Sequence, residues 1–132
     1  MPDRVLVDTS AWVDFFRNPR SSVGEIVPSL LRHGQACYTG LIEVELYRGA
    51  KGQPELDSLD VLFKTIQRLP VPDSLYRKAG QLCYRLARKG ITVGTVDAMI
   101  ATVALEHNCH LLSLDRHFKE IQPHCPLTLV AV

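Results

Sequence analysis

Arg4-Val5-Leu6-Val7-Asp8-Thr9-Ser10 opens the chain with a short β-branched run, ends that run on a carboxylate, and follows it with two hydroxyl residues able to cap a helix. The helix that follows would turn Trp12, Val13, Phe15 and Phe16 to one face. The opening unit is therefore strand, acidic corner, helix. The same order returns late in the chain, where Leu111 to Leu114 reads as a strand leading into Asp115 and a helix through Phe118.

Working outward from these units, Ala36 to Tyr38 forms a second short strand. Thr39 caps a helix through Leu46 and Tyr47 that stops at Gly49. Ser22 and Glu25 have the spacing of a capping box, with Pro28 inside the helix they would start, so a kink or a later start is expected there. Pro54 opens a helix carrying Leu56, Leu59, Leu62, Phe63 and Ile66. Asp73 caps another, with Leu75, Ala79, Leu82 and Leu86 at helical spacing until Gly90. These two read as a packed helical pair. Thr95 caps an apolar helix through Ile100, Val103 and Leu105, and Leu127 to Val132 is expected to be a closing strand. Strands separated by helices predict an α/β fold with a mainly parallel sheet covered on both faces.

The chain has 132 residues, 46% of them hydrophobic and 22% charged, which suits one domain with its own core over residues 1–132. Lys and Arg outnumber Asp and Glu by 15 to 14, so a global basic field is excluded and any affinity for nucleic acid must rest on local patches. Cys37, Cys83, Cys109 and Cys125 contain no C-x-x-C pair and read as reduced thiols of a cytoplasmic protein. No signal-peptide pattern opens the chain and no segment is apolar for the length a bilayer requires.

Acidic residues recur where strands meet helices or on the first turns of apolar helices: Val7-Asp8-Thr9-Ser10, Ile42-Glu43-Val44-Glu45-Leu46, Val96-Asp97-Ala98-Met99 and Leu114-Asp115-Arg116. In open parallel sheets, ligands collect outside the carboxyl ends of strands, where Asp8 and Asp115 fall. Carboxylates converging there repel one another, and a hard divalent cation with oxygen ligands relieves the repulsion. Mg²⁺ or Mn²⁺ fits that donor set, and beside a phosphodiester it supplies hydrolytic chemistry. Each acid also has a plainer reading. Asp8 and Asp115 can simply cap helices, Asp97 can complement a helix dipole, and Glu45 can be a solvated helix residue.

Together these segments resemble the PIN-domain ribonucleases, most closely the toxin component of VapBC toxin–antitoxin systems. Val7-Asp8-Thr9-Ser10-Ala11-Trp12-Val13-Asp14-Phe15-Phe16 is similar to the family's opening motif. Glu45-Leu46-Tyr47-Arg48-Gly49 is similar to its E-L-x-x-G, Val96-Asp97-Ala98-Met99-Ile100-Ala101 to its central D-x-x-I-A, and Ser113-Leu114-Asp115-Arg116-His117-Phe118 to its closing T-x-D-x-D-F. The resemblance covers nearly the whole chain. It implies a three-layer α/β/α sandwich and a Mg²⁺- or Mn²⁺-dependent endoribonuclease that hydrolyses RNA. It also implies a homodimer neutralised by a cognate VapB-like antitoxin in a hetero-oligomer.

Carried across, Asp8 and Asp97 are the principal metal ligands. Glu45 and Asp115 complete the acidic pocket and orient the attacking water, with Thr9, Ser10 or Ser113 hydrogen-bonding the cluster. Glu43 competes with Glu45, and the L-x-x-G that follows favours Glu45. One departure stands out: His117 occupies a position where many relatives carry a second acid, and a solvated helix residue is its plainer reading.

The remaining features have plainer readings too. His107, Cys109 and His110 lack the paired spacing of a zinc site. The aromatic first helix suits packing or a partner groove better than base stacking. Arg17, Arg20, Arg48, Lys51, Arg85, Arg88, Lys89, Arg116 and Lys119 are candidates for phosphate contacts or for ordinary surface. The rival functions are a PIN nuclease of RNA processing that has no antitoxin, and a binding module whose acids capture a basic partner.

Overall fold

The computed structural model describes residues 3–18 and 20–132, and the side chain of Ser22 also lies outside the described set. At its centre is a four-stranded, all-parallel sheet in the order β3-β2-β1-β4, built from β1 (Val5–Val7), β2 (Ala36–Tyr38), β3 (Gln67–Arg68) and β4 (His110–Leu112). Val5 pairs with Ala36 on one side and with His110 on the other. Because β1 is flanked by strands and sits in the middle layer, Val5, Leu6 and Val7 are all fully buried, which is why this strand is a continuous apolar run.

Among the described residues the strands are accompanied by seven α-helices: α1 (Thr9–Arg17), α2 (Ser22–Arg32), α3 (Gly40–Arg48), α4 (Gln53–Thr65), α5 (Ser74–Arg88), α6 (Thr95–Glu106) and, after β4, α7 (His117–Ile121). Parallel strands require crossovers of one hand. The steps from β1 to β2 to β3 run in one direction and set α1 to α4 on one face. The return from β3 past β1 to β4 sets α5 and α6 on the other, giving the three-layer α/β/α arrangement. Packing follows this division: α1 lies against α2 and α3, α3 against α4, and α5 against α6. The reversal falls between β1 and β4, so the crevice at their carboxyl ends is the topological switch point.

The helices of the second face differ in pattern for a physical reason. On α5 the buried Leu75, Ala79, Leu82 and Leu86 form one stripe, each leucine contributing about 1.5–3 kcal/mol relative to exposure. In α6 every residue from Ala98 to Ala104 is buried, as expected of a helix covered by sheet and helix together. Its one hydroxyl there, Thr102, is satisfied by the Ala98 carbonyl at 2.7 Å. α6 ends where Asn108 adopts the left-handed conformation (φ 54°) and the Cys109 N–H returns to the Ala104 carbonyl at 2.9 Å.

Several sequence expectations are corrected. The two amphipathic helices α4 and α5 are not each other's main partners, because β3 intervenes and the chain crosses to the opposite face. Leu127 to Val132 makes only an isolated parallel bridge, Leu129 to Leu111, since β4 itself is three residues long. The helix through Pro28 begins at Ser22 and runs to Arg32, its cap being the Ser21 hydroxyl, which accepts the Gly24 N–H at 3.1 Å. The capping box expected at Ser22 falls on a side chain outside the described residues. Thr95 is the first helical residue rather than the cap, a place taken by Gly94. Asp73 is helical in conformation and makes no capping bond.

The candidate acidic site

Asp8 ends β1 and occupies the cap position of α1 with extended backbone, yet its side chain makes no capping bond. Its Oδ2 instead accepts hydroxyl bonds from Ser10 (2.9 Å) and Ser113 (2.8 Å), at 6% exposure. These two serines lie 3.2 Å apart. The Ser10 hydroxyl accepts the Leu114 N–H at 2.9 Å, and that of Ser113 accepts the Asp115 N–H at 3.0 Å. The corner after β1 and the corner after β4 are thus tied together at the switch point, supported by the Asp8 N–H to Leu112 carbonyl bond of 2.9 Å.

Glu45 approaches from α3. It is half-buried, and its Oε1 accepts the Thr9 hydroxyl at 2.8 Å, one residue from Asp8. Glu43 faces elsewhere and pairs with Arg68 of β3 at 3.0 Å. Helical phase separates the two acids, because residues two apart lie on different faces.

The opposite wall is more open. Asp97 lies in the first turn of α6 and Asp115 follows β4, both half-buried. His117 Nδ1 stands 3.2 Å from Asp97 Oδ2 and 3.2 Å from Asp115 Oδ1, while the His117 N–H donates to the same Asp115 oxygen at 2.9 Å. Asp115 thus accepts the N–H of the first residue of α7, although the cap position of that helix is held by Arg116. Burial is the main cause that pushes the Asp97 carboxyl above its ordinary value; the Asp115 and Asp8 charges add to it, and the His117 bond opposes it. That bond to Asp97 is the first cause raising His117, joined by the Asp115 charge.

His117 is the residue that sequence reading undervalued. Its side chain is 52% exposed, as a solvated residue would be, but its ring bridges two of the acids. Asp97, Asp115 and His117 are the group of potential metal-ligating side chains found among the described residues, with ligand atoms within 4.8 Å of one another. This spacing and its carboxylate oxygens fit a divalent cation. His107 is engaged elsewhere, its Nε2 2.8 Å from the Pro70 carbonyl, and Cys109 Sγ donates to the His107 carbonyl at 3.6 Å.

A groove of about 830 Å³ adjoins the site and shares Thr9 and Glu45 with it. Val13 and Phe16 of α1, Leu46 of α3 and Leu59 of α4 line it. Trp12 is fully buried and stacks on Phe16 with ring centroids 6.3 Å apart, so the aromatic helix packs on its inner side and faces this groove with Phe16.

A parallel sheet with Asp8 held at its switch point and with Asp97 and Asp115 meeting at the His117 ring defines a class, and residues 5–122 match the model of the PIN domain. The chain belongs to the PIN domain family. Among its relatives, Ribonuclease VapC11 of Mycobacterium tuberculosis and VapC ribonuclease Mb1587 of Mycobacterium bovis are each 32% identical over 121 residues, covering 89% of this chain and 90% of theirs. The fold is shared with DNA-bound VapBC from Salmonella typhimurium (TM-score 0.79, 21% identity) and with VapBC2 from Rickettsia felis (TM-score 0.78, 20% identity). Each comparison covers 96% of both chains. It is shared also with Mycobacterium tuberculosis VapC20, a Sarcin-Ricin loop cleaving toxin, at TM-score 0.65 and 16% identity over 88% of this chain and 93% of that one.

Proposed function

We propose that this protein is a metal-dependent endoribonuclease and the toxin of a type II toxin–antitoxin pair, acting in the cytoplasm. The observation that carries this reading is the placing of acids around the β1–β4 junction: Asp8 is held there by Ser10 and Ser113, Asp97 and Asp115 meet at the His117 ring, and Glu45 is bonded to Thr9, the neighbour of Asp8 in the chain. The relatives named as ribonucleases support it.

Asp8, Asp97 and Asp115 would hold Mg²⁺, with Mn²⁺ able to substitute, and Glu45 would complete the set directly or through water. When bound, such an ion would supply Lewis acidity toward the phosphoryl group, activation of water and compensation of charge on the leaving oxygen. The chain's own residues prepare the site. Ser10 and Ser113 fix the Asp8 carboxylate by occupying Oδ2, and burial keeps it from rotating into solvent. Glu45, oriented by Thr9, is placed to accept a proton from the attacking water. His117, whose ring stands 3.2 Å from both Asp97 and Asp115, offsets their mutual repulsion.

An antitoxin segment fits the groove beside Glu45, where Val13, Phe16, Leu46 and Leu59 offer an apolar face and a cationic side chain could reach the acids. A homodimer is the assembly expected of such a toxin. The test is cleavage of RNA by purified protein in Mg²⁺, with ends mapped and with Asp8→Asn and Asp97→Asn beside wild type. Loss of cleavage in both folded variants is expected; wild-type rates in either would sink the metal assignment. An inhibited toxin–antitoxin complex that leaves both the acids and the α1 groove exposed would defeat the docking assignment.

A further inference from the structure

The outer face of α5 is cationic and carries no acid. From Ser74 to Lys89 the sequence contains Arg77, Lys78, Arg85, Arg88 and Lys89 and no acid, although the protein as a whole carries a formal charge of only +1. Opposite the buried leucine stripe, Arg77, Gln81, Tyr84 and Arg88 fall at intervals of four, three and four residues, which is one straight line on a helix. Tyr84 is 64% exposed and Tyr76 62%, large rings left in water. The Arg88 guanidinium lies 5.7 Å from the centroid of the Tyr84 ring, holding ring and charge side by side. Among the described residues, Arg77, Arg85 and Arg88 form no ion pair with a carboxylate, in contrast to Lys78, which pairs with Glu106 at 3.5 Å.

That Lys78–Glu106 pair also fixes direction. It joins the first half of α5 to the last residue of α6, so the helices run antiparallel and the Tyr84–Arg88 end of α5 lies toward the end of α6 that bears Asp97.

We propose that this stripe, with Arg85 on its flank, is a track for single-stranded RNA leading to the acidic crevice, with Arg77, Arg85 and Arg88 taking phosphates and Tyr84 stacking on a base. The proposal rests on the nuclease reading and supplies what that reading lacks, because a pocket of carboxylates repels a polyanion and needs cations beside it to hold the substrate. Unpaired guanidinium groups interleaved with exposed aromatic rings are the chemistry that binds single strands without sequence preference. A second copy of the chain is a poorer occupant: a two-fold contact would set one acid-free cationic helix against another.

The experiment uses full-length protein carrying Asp8→Asn, so that RNA is bound and not cut, and a fluorescein-labelled single-stranded RNA followed by anisotropy across a KCl series. Arg85→Ala/Arg88→Ala and Tyr84→Ala are compared with Arg32→Ala/Lys64→Ala, a control of equal charge on the opposite helical layer. The control should bind as the parent does. The Arg85/Arg88 variant should lose about 1.4 from the slope of log affinity against log salt, about 0.7 for each phosphate contact removed. Tyr84→Ala should weaken binding roughly fivefold or more with the slope unchanged.

Equal affinity and slope in all variants would overturn the track. So would a fall in particle mass of the α5 variants by light scattering, which would make the stripe a self-association face. In either case cleavage by the Asp8-containing protein would leave the nuclease reading standing. If that protein neither binds nor cleaves RNA in Mg²⁺ or Mn²⁺, both readings fail together.

Discussion

The two walls of the crevice hold their acids by different means. Asp8 is almost fully buried and is gripped by two serine hydroxyls that are themselves bonded to backbone N–H groups across the β1–β4 junction. Asp97 and Asp115 are more open and are joined through one exposed imidazole. One wall is positioned by the fold. The other is positioned by charge, and so depends on pH and on what cation is present.

The contrast breaks most visibly at the buried wall. Asp8→Asn keeps the shape and the hydroxyl bonds but removes the charge. Cleavage should fall about a hundredfold or more, because even partners that only orient a metal ligand are worth roughly tenfold to hundredfold. Full secondary structure by circular dichroism alongside residual wild-type cleavage would contradict it.

Ser113→Ala tests the grip itself. A drop in cleavage of roughly tenfold is expected, with a loss of about 1 kcal/mol in urea unfolding from the broken hydrogen bonds. Combined with Ser10→Ala, the two should be non-additive, by about 0.5 kcal/mol or more, since both bond one carboxylate oxygen. Strict additivity would mean the serines act separately.

The open wall is sharpened by pH in metal-free protein. His117 binds its proton more tightly in the folded state than its ordinary value of 6.5 allows, so its contribution to stability is complete below that value and is lost as pH rises through the raised one. Asp97, also raised, acts in the same sense at lower pH: the folded state binds the extra proton, and stability falls as pH rises through its window. The urea midpoint in EDTA should therefore decline as pH rises through the raised histidine value, and the decline should vanish in His117→Asn. A midpoint indifferent to that substitution would show the bridge to be without consequence.

The smallest effect is expected at Glu43. Its bond to Arg68 is a surface ion pair, so Glu43→Gln should change stability by less than about 0.5 kcal/mol and cleavage little. Glu45→Gln, on the neighbouring helical phase, should lower cleavage severely. Equal losses in a side-by-side assay would erase the distinction drawn from their partners.

Much of this molecule was legible because the strands are short, apolar and stopped by diagnostic residues. Val5–Val7 ending on Asp8, Ala36–Tyr38 before the Thr39 cap, and the leucine stripe of α5 all stand where pattern and capping chemistry put them. What escaped has physical causes. Gln67–Arg68 is a polar, exposed pair with no alternation to mark it as a strand, and it exists only because β2 templates it. The segment after Cys125 is apolar enough for a strand, yet the three-residue β4 offers it a single bridge.

The crevice divides the same way. Asp8 and Asp115 could be set at strand ends from their own neighbourhoods. The link from His117 to Asp97 joins α7 to α6 through tertiary packing that no local spacing encodes. Its available signal was a histidine standing where the resemblance expected an acid.

The pairing of β1 has a consequence for how the protein comes into being. Val5 pairs on one side with Ala36, in the next strand of the chain, and on the other with His110, which follows only after every element from α1 to α6. Contacts so distant along the chain close slowly, since loop entropy must be lost before they form. Ser113, which grips Asp8, arrives later still. The Asp8 carboxylate is therefore gripped by both of its serines only after the crossover from β3 to β4 has closed.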